Sequence, residues 1–219
     1  MNKEFSLAKR ENNPRRDFII VNKFQSKHFP SDPQQTAVHC NFLGQEIVRR
    51  CPQGNCLAII FSETAVGIGA LAAKELGSRC FLLSTTREEL PGYFERLSFE
   101  ETHSHAPLHT LCIRPEIDFG SFSHVFLIDD EFTTGNTAIS LYKEISEKCS
   151  CPFTAVAFIA SLESCKRFEE NGINVIAEEK FNEASLAQSQ RKFDDDFVIT
   201  DKNPDYDISL NSIFDIRLG

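Results

Sequence analysis

Val125-Phe126-Leu127-Ile128-Asp129-Asp130-Glu131-Phe132-Thr133-Thr134-Gly135-Asn136-Thr137-Ala138 decides how this chain folds. Four consecutive apolar residues have the pattern of a strand buried on both faces of a parallel sheet, and two acids stand where that strand ends. A small, hydroxyl-rich loop, Thr133 to Thr137, follows at once. Ala138-Ile139-Ser140-Leu141-Tyr142-Lys143-Glu144-Ile145 then opens a helix with apolar residues at helical spacing. Backbone N–H groups and threonine hydroxyls at a helix start can hold a phosphate, because the donors there have no helical partner and the dipole is positive. The carboxylates beside it can accept hydrogen bonds from sugar hydroxyls. A phosphate site next to a diol site suits a ribose 5-phosphate.

Two other readings fit part of this stretch. Leu-Ile-Asp-Asp-Glu also occurs in phospho-receiver domains, where paired acids bind magnesium. There the pair belongs on the first strand, whereas here over a hundred residues precede it. A structural strand-turn-helix with the acids as helix caps is the other. The full segment resembles the PRPP (phosphoribosyl pyrophosphate) motif of type I phosphoribosyltransferases: apolar strand, two acids, short spacer, then a Thr-Gly-x-Thr loop. The resemblance implies an α/β fold, a mainly parallel sheet flanked by helices with a small hood from the terminal segments.

Composition agrees with one such domain. The chain has 219 residues, 41% of them apolar, enough for a full core. A net charge of −9 argues against a nucleic-acid partner, which needs a basic face. No apolar run reaches the roughly 18 residues of a membrane span, and the N-terminus lacks the apolar stretch of a signal peptide. The eight cysteines read as buried small residues in a reducing cytoplasm. Cys149-Ser150-Cys151 is their only close pair, without the second pair that a zinc site needs.

Strand and helix patterns alternate along the chain, which predicts a parallel sheet covered on both faces. Residues 1–30 read as an N-terminal arm with a possible hood strand at Phe18–Asn22. Residues 31–177 form the core, with strands near 57–61, 80–83, 111–113, 125–128, 153–159 and 173–176. Helices are expected over 34–50, 67–76, 138–145 and 162–171, with Val38, Phe42, Ile47 and Val48 on the apolar face of the first. Residues 178–219 carry ten acids against five bases and read as an acidic appendage or hood. From Ser84 to Pro107 the chain is polar and lacks periodicity, the pattern of a lid.

Ligands in such sheets sit at the carboxyl ends of the strands. There Ser62-Glu63-Thr64-Ala65 links a strand to a helix through small residues that let backbone approach an anion. The resemblance makes these four the pyrophosphate-binding loop, often with a cis peptide. Glu63 is an awkward occupant there; it either binds magnesium through water or turns toward a basic residue. By the same resemblance Arg87 is the cation facing pyrophosphate, and His103 and His105, with His109 nearby, hydrogen-bond over it from the lid. Asp129 and Asp130 hold the ribose hydroxyls and magnesium, directly or through water, and Thr133, Thr134, Gly135, Asn136 and Thr137 hold the 5-phosphate.

The implied activity is magnesium-dependent transfer of ribose 5-phosphate from PRPP to a nitrogenous base, in a cytoplasmic homodimer. Threonine at 133, where purine-salvage members carry aspartate, leans toward an orotate-like arrangement. Lys27-His28-x-Pro30, Glu63-Thr64-Ala65, Ser84-Thr85-Thr86-Arg87 and His103-Ser104-His105-Ala106 give a closer resemblance, to orotate-phosphoribosyltransferase-like proteins of bacterial tellurite-resistance gene clusters. The other class of function open to these residues is a regulator that keeps the PRPP site without catalysis.

Overall fold

The computed structural model describes residues 5–11, 18–25, 27, 30–92, 95–99, 109–182 and the backbone of 193–200. Strands β3 (Asn55–Ile60), β7 (Phe122–Ile128) and β9 (Phe153–Ser161) form the centre of the main sheet. β10 (Ile173–Phe181) lies outside β9, and β4 (Cys80–Thr86) lies outside β3, all five running parallel. β6 (His109–Ile113) and β5 (Glu95–Phe99) complete that edge in antiparallel order.

Side chains alternate across each parallel strand, and both faces are apolar because both are covered. Ala58, Ile60, Phe126, Ile128, Val156 and Phe158 face α1 (Pro33–Arg50) and α2 (Ala65–Ala73). Leu57, Ile59, Val125, Leu127, Ala155 and Ala157 lie with α3 (Asn136–Ser146) and α4 (Leu162–Glu170). α1 starts where Asp32 accepts from the Gln34 and Gln35 N–H groups with Pro33 next in line. Its buried face is Thr36, Cys40, Leu43, Gly44 and Ile47, rotated from the expected one; Val38 and Phe42 are 66% and 46% exposed. Gly44 sets that rotation, since a Cβ there would stand 2.8 Å from the Ala72 carbonyl of α2.

A second sheet joins β1 (Phe5–Glu11) to β2 (Phe18–Asn22) antiparallel and to β11 (Phe193–Thr200) parallel. Both chain ends therefore contribute to one small sheet. β10 continues through Phe181, four residues past the boundary placed at 177, because Glu179–Phe181 stay in register with Ile159–Ser161 of β9.

Parts of the stretch expected to be a lid are strand. Ser84–Thr86 extend β4, and Glu95–Phe99 form β5, paired with β6 from Glu95↔Ile113 to Phe99↔His109. A sheet edge imposes little periodicity on a strand, so β5 carried no clear signal. His103 and His105 lie outside the described residues.

His124 on β7 is buried, 2.8 Å from Thr154 Oγ1 through Nε2 and stacked on Phe126. Burial, with the Arg50 charge second, pushes its pKa down to about 4. An unfolded chain takes up that proton near 6.5. Between those values the unfolded state holds more protons, so acid favours unfolding. We expect stability to fall as pH drops from 6.5 to 4, and the slope in that window to flatten in His124→Gln. Chemical denaturation at several pH values checks this; equal slopes for the two proteins would exclude it.

Candidate active site

Strand β7 leaves the ladder after Ile128 while β9 continues, and the chain rejoins β9 two residues later as β8 (Glu131–Phe132), in register Glu131↔Ile159. Asp129 and Asp130 are the two residues in the gap. The Asp129 N–H still donates to the Val156 carbonyl at 3.0 Å, and the Asp130 N–H turns back to Asp129 Oδ1 at 2.8 Å. The carboxylates are thereby fixed on the rim rather than buried in the sheet.

The two acids differ in surroundings. Asp130 is 5% exposed; its Oδ2 pairs with the Lys27 ammonium, and its carbonyl accepts from Gln25 Nε2 at 2.9 Å. Lys27 also lies 3.9 Å from Glu131. Burial opposes the Lys27 charge, but Asp130, Glu131 and Asp129 outweigh it and hold its pKa above the ordinary lysine value. Asp129 faces the cleft. Burial first, and the Asp130 charge second, push its carboxyl well above the usual range, with Lys27 opposing.

A cavity of about 150 Å³ opens at the start of α3, lined by Thr133, Thr134, Gly135, Asn136 and Thr137 with Asp129. The carbonyls of Phe132, Thr133 and Thr134 are tied from behind by the end of β9 and by α4. Ser164 Oγ donates to Phe132 O at 3.0 Å, Arg167 to Thr134 O at 3.0 Å, and Ser161 Oγ to Thr133 O. The start of α3 thus stands at the cavity, and its Asn136 N–H reaches Thr134 Oγ1 at 3.4 Å. The sequence had no signal for these three anchors, which stand about thirty residues downstream.

A second cavity, of about 270 Å³, shares Asp129, Glu131 and Thr137 with the first. Its far wall is Ser62, Glu63, Thr64 and Arg87, with Lys27 and His109 beside them. The Ser62–Glu63 peptide is cis, as the resemblance implies for this loop. The Ser62 N–H donates to Thr85 Oγ1 at 2.9 Å, and its hydroxyl donates to the Thr85 carbonyl. Ala65, grouped with this loop in the sequence, is fully buried as the first residue of α2 and lines neither cavity. A third cavity, of about 500 Å³, meets the second at Lys27, Glu63 and Thr64 and runs between α1 and α2 past Gln25, Pro33, Ile68 and Leu71.

His109 was placed with the lid histidines; it is instead a buried residue of β6. Lys27 and Thr85 were noted only as part of a resemblance, and Gln25 carried no signal. Their roles come from partners 103–105 and 23 residues away in sequence.

The donor set suits magnesium. That ion takes one or two carboxylates together with substrate phosphates and keeps water, so Asp129 and Asp130 suffice without a larger ligand cluster.

The family model for phosphoribosyl transferases matches residues 5–187. No curated protein matches the chain. Among solved structures, adenine phosphoribosyltransferase from Leishmania tarentolae is 19% identical with TM-score 0.59, covering 80% of this chain and 82% of its own. The Leishmania donovani enzyme is 17% identical with TM-score 0.62, covering 90% and 84%. The Trypanosoma brucei enzyme, solved with AMP, pyrophosphate and ribose-5-phosphate, is 12% identical with TM-score 0.62, covering 92% and 85%. At these identities the likeness is one of fold.

Gly135 adopts φ +71°, and a Cβ there would stand 2.8 Å from the ring of Phe168, itself fully buried. Gly172 has φ +74° with nothing within 4 Å. Gly172→Ala should therefore cost only the backbone strain, about 1 kcal/mol, and Gly135→Ala about 2–4 kcal/mol because the clash adds to it. Equal losses in denaturant unfolding would show that Phe168 yields freely.

Proposed function

This chain belongs to the phosphoribosyl transferase family, and from that premise we propose how its cleft works. The protein is a phosphoribosyltransferase enzyme, moving the ribose 5-phosphate of PRPP to a base with release of pyrophosphate. The observation that carries the site assignment is the junction of the first two cavities at Asp129, Glu131 and Thr137. PRPP has a phosphate at one end, a diol in the middle and pyrophosphate at the other. The 133–137 loop, the acid pair and the Ser62–Thr64 wall with Arg87 succeed one another in that order.

In this assignment the 133–137 N–H groups and hydroxyls hold the 5-phosphate, and Asp129 and Asp130 accept from the ribose hydroxyls. As the C1–O bond to pyrophosphate breaks and the C1–N bond forms, the sugar gains positive charge and the leaving group negative charge. The carboxylates oppose the first and Arg87 the second, through fixed positions rather than a covalent nucleophile. Magnesium, held by Asp129 and Asp130 directly or through water, would supply further neutralisation of pyrophosphate. Glu63 then serves the metal or Lys27 rather than a phosphate oxygen.

The acceptor base belongs in the third cavity, which opens onto the second and is walled by Pro33, Ile68 and Leu71. Planar heterocycles suit such a mixed wall. Threonine at 133 and the likeness to orotate-phosphoribosyltransferase-like proteins of tellurite-resistance clusters favour a base other than hypoxanthine or guanine. We place the enzyme in the cytoplasm, where the eight free thiols stay reduced, and expect a homodimer, as the family resemblance implies. β1 and β2 from the N-terminal segment and β11 from the C-terminal one act as the hood, in the three-stranded sheet they form together.

The reading is tested by incubating the protein with PRPP, magnesium and a panel of nitrogen heterocycles while following pyrophosphate release; no release with any member counts against it. In calorimetry, Asp129→Asn with Asp130→Asn should weaken PRPP–magnesium binding at least tenfold, since neutral amides accept hydrogen bonds less strongly than carboxylates. Unchanged affinity would remove the acid pair from the site.

A further inference from the structure

We propose that His109 is a positioning residue for pyrophosphate departure, holding Arg87 and the Ser62–Thr64 loop in one fixed arrangement. This rests on the pyrophosphate reading of the second cavity given above. Arg87 Nε donates to His109 Nε2 at 3.2 Å. A guanidinium has donors only, so Nε2 carries the lone pair and the ring proton sits on Nδ1. Nδ1 lies 3.5 Å from Thr85 Oγ1, the same oxygen that accepts the Ser62 N–H at 2.9 Å. The ring donates on one side and accepts on the other, and so joins the loop after β3 to the cation after β4.

Packing fixes the plane of that ring. His109 is 3% exposed and stacks on Phe99 of β5, with centroids 5.7 Å apart and planes 30° from parallel. Phe99 in turn meets Phe61, which opens the pyrophosphate loop, edge-on at 6.2 Å. The segment expected to be a mobile lid thus supplies, in β5, the aromatic face against which the relay is built.

An arginine side chain free in solvent loses rotamer freedom whenever it engages a ligand. One already held by its Nε has less freedom to lose, the condition under which a donor stabilises developing charge best. The relay needs the neutral ring. A second proton would put donor against donor and cation beside cation.

The test uses inorganic pyrophosphate with magnesium as the probe, titrated calorimetrically into the full chain. His109→Asn keeps an amide at the Nδ1 position but cannot reach Arg87; His109→Gln brings an amide oxygen to the Nε2 position. His109→Asn should weaken pyrophosphate binding about tenfold, the size of a lost hydrogen bond to a charged group. In an Arg87→Ala background it should add nothing, because the two residues act as one unit. His109→Gln should bind within about threefold of wild type. With an active base, the loss in His109→Asn should fall on kcat more than on KM.

Wild-type affinity in His109→Asn, or a loss of full size in the Arg87→Ala background, overturns the relay while leaving the pyrophosphate site standing. If His109→Asn does not fold, His109→Gln decides, and a tenfold loss there overturns the proposal. Failure of the wild-type protein to bind pyrophosphate overturns the reading of the cavity and the relay with it.

Discussion

Lys27 and Asp130 meet where the N-terminal segment crosses the end of β7, and the arrangement of the cleft depends on that pairing. Asp130 is nearly buried and adjoins Asp129 and Glu131, so three acids crowd one strand end. Lys27 places a cation among them, and Gln25 adds a second donor to the Asp130 carbonyl, which also accepts from the Ile159 N–H at 3.4 Å. Breaking a part-buried pair of this kind costs more than a surface pair, because the remaining charge stays desolvated. The N-terminal segment is therefore an electrostatic part of the acid cluster.

That segment is also seated by packing. Phe24, between Lys23 and Gln25, stacks on His39 of α1 at 4.2 Å, and His39 pairs with Glu178 on β10. Thr36 of α1 donates to the Phe24 carbonyl at 3.0 Å. Phe24 is thus held by α1 and, through His39, linked to the far edge of the sheet, beside Gln25. That explains how a short, irregular segment can deliver Lys27 to a fixed point over β7.

Each anion-facing loop has its own backing. The end of β9 and α4 tie the carbonyls of Phe132, Thr133 and Thr134 through Ser161, Ser164 and Arg167, while Thr85 of β4 holds Ser62. The two loops are held differently: carbonyls are tied at the first, whereas at the second the Ser62 N–H and hydroxyl are both bonded to Thr85. In both, hydrogen bonds from a neighbouring element fix the backbone at the cavity wall.

The sequence by itself determined the central strands, the order of strand and helix, and the local chemistry of the 125–138 stretch. Those features are short-range: an apolar run buried on both faces and a helix start following an acid pair are written in adjacent residues. Ser62, Glu63, Thr64 and Arg87 share one cavity wall because the ends of their own strands place them there, while Ala65, grouped with them in the sequence, falls inside α2. Tertiary structure alone decided the rest. The buried face of α1 depends on Gly44 meeting α2, and β5 exists because β6 offers an edge to pair with. Lys27 at Asp130, the anchors behind the 133–137 loop and His109 between Thr85 and Arg87 join residues 22–103 positions apart. No local pattern encodes such contacts, because hydrogen bonds and ion pairs depend on distances that only the packed chain sets.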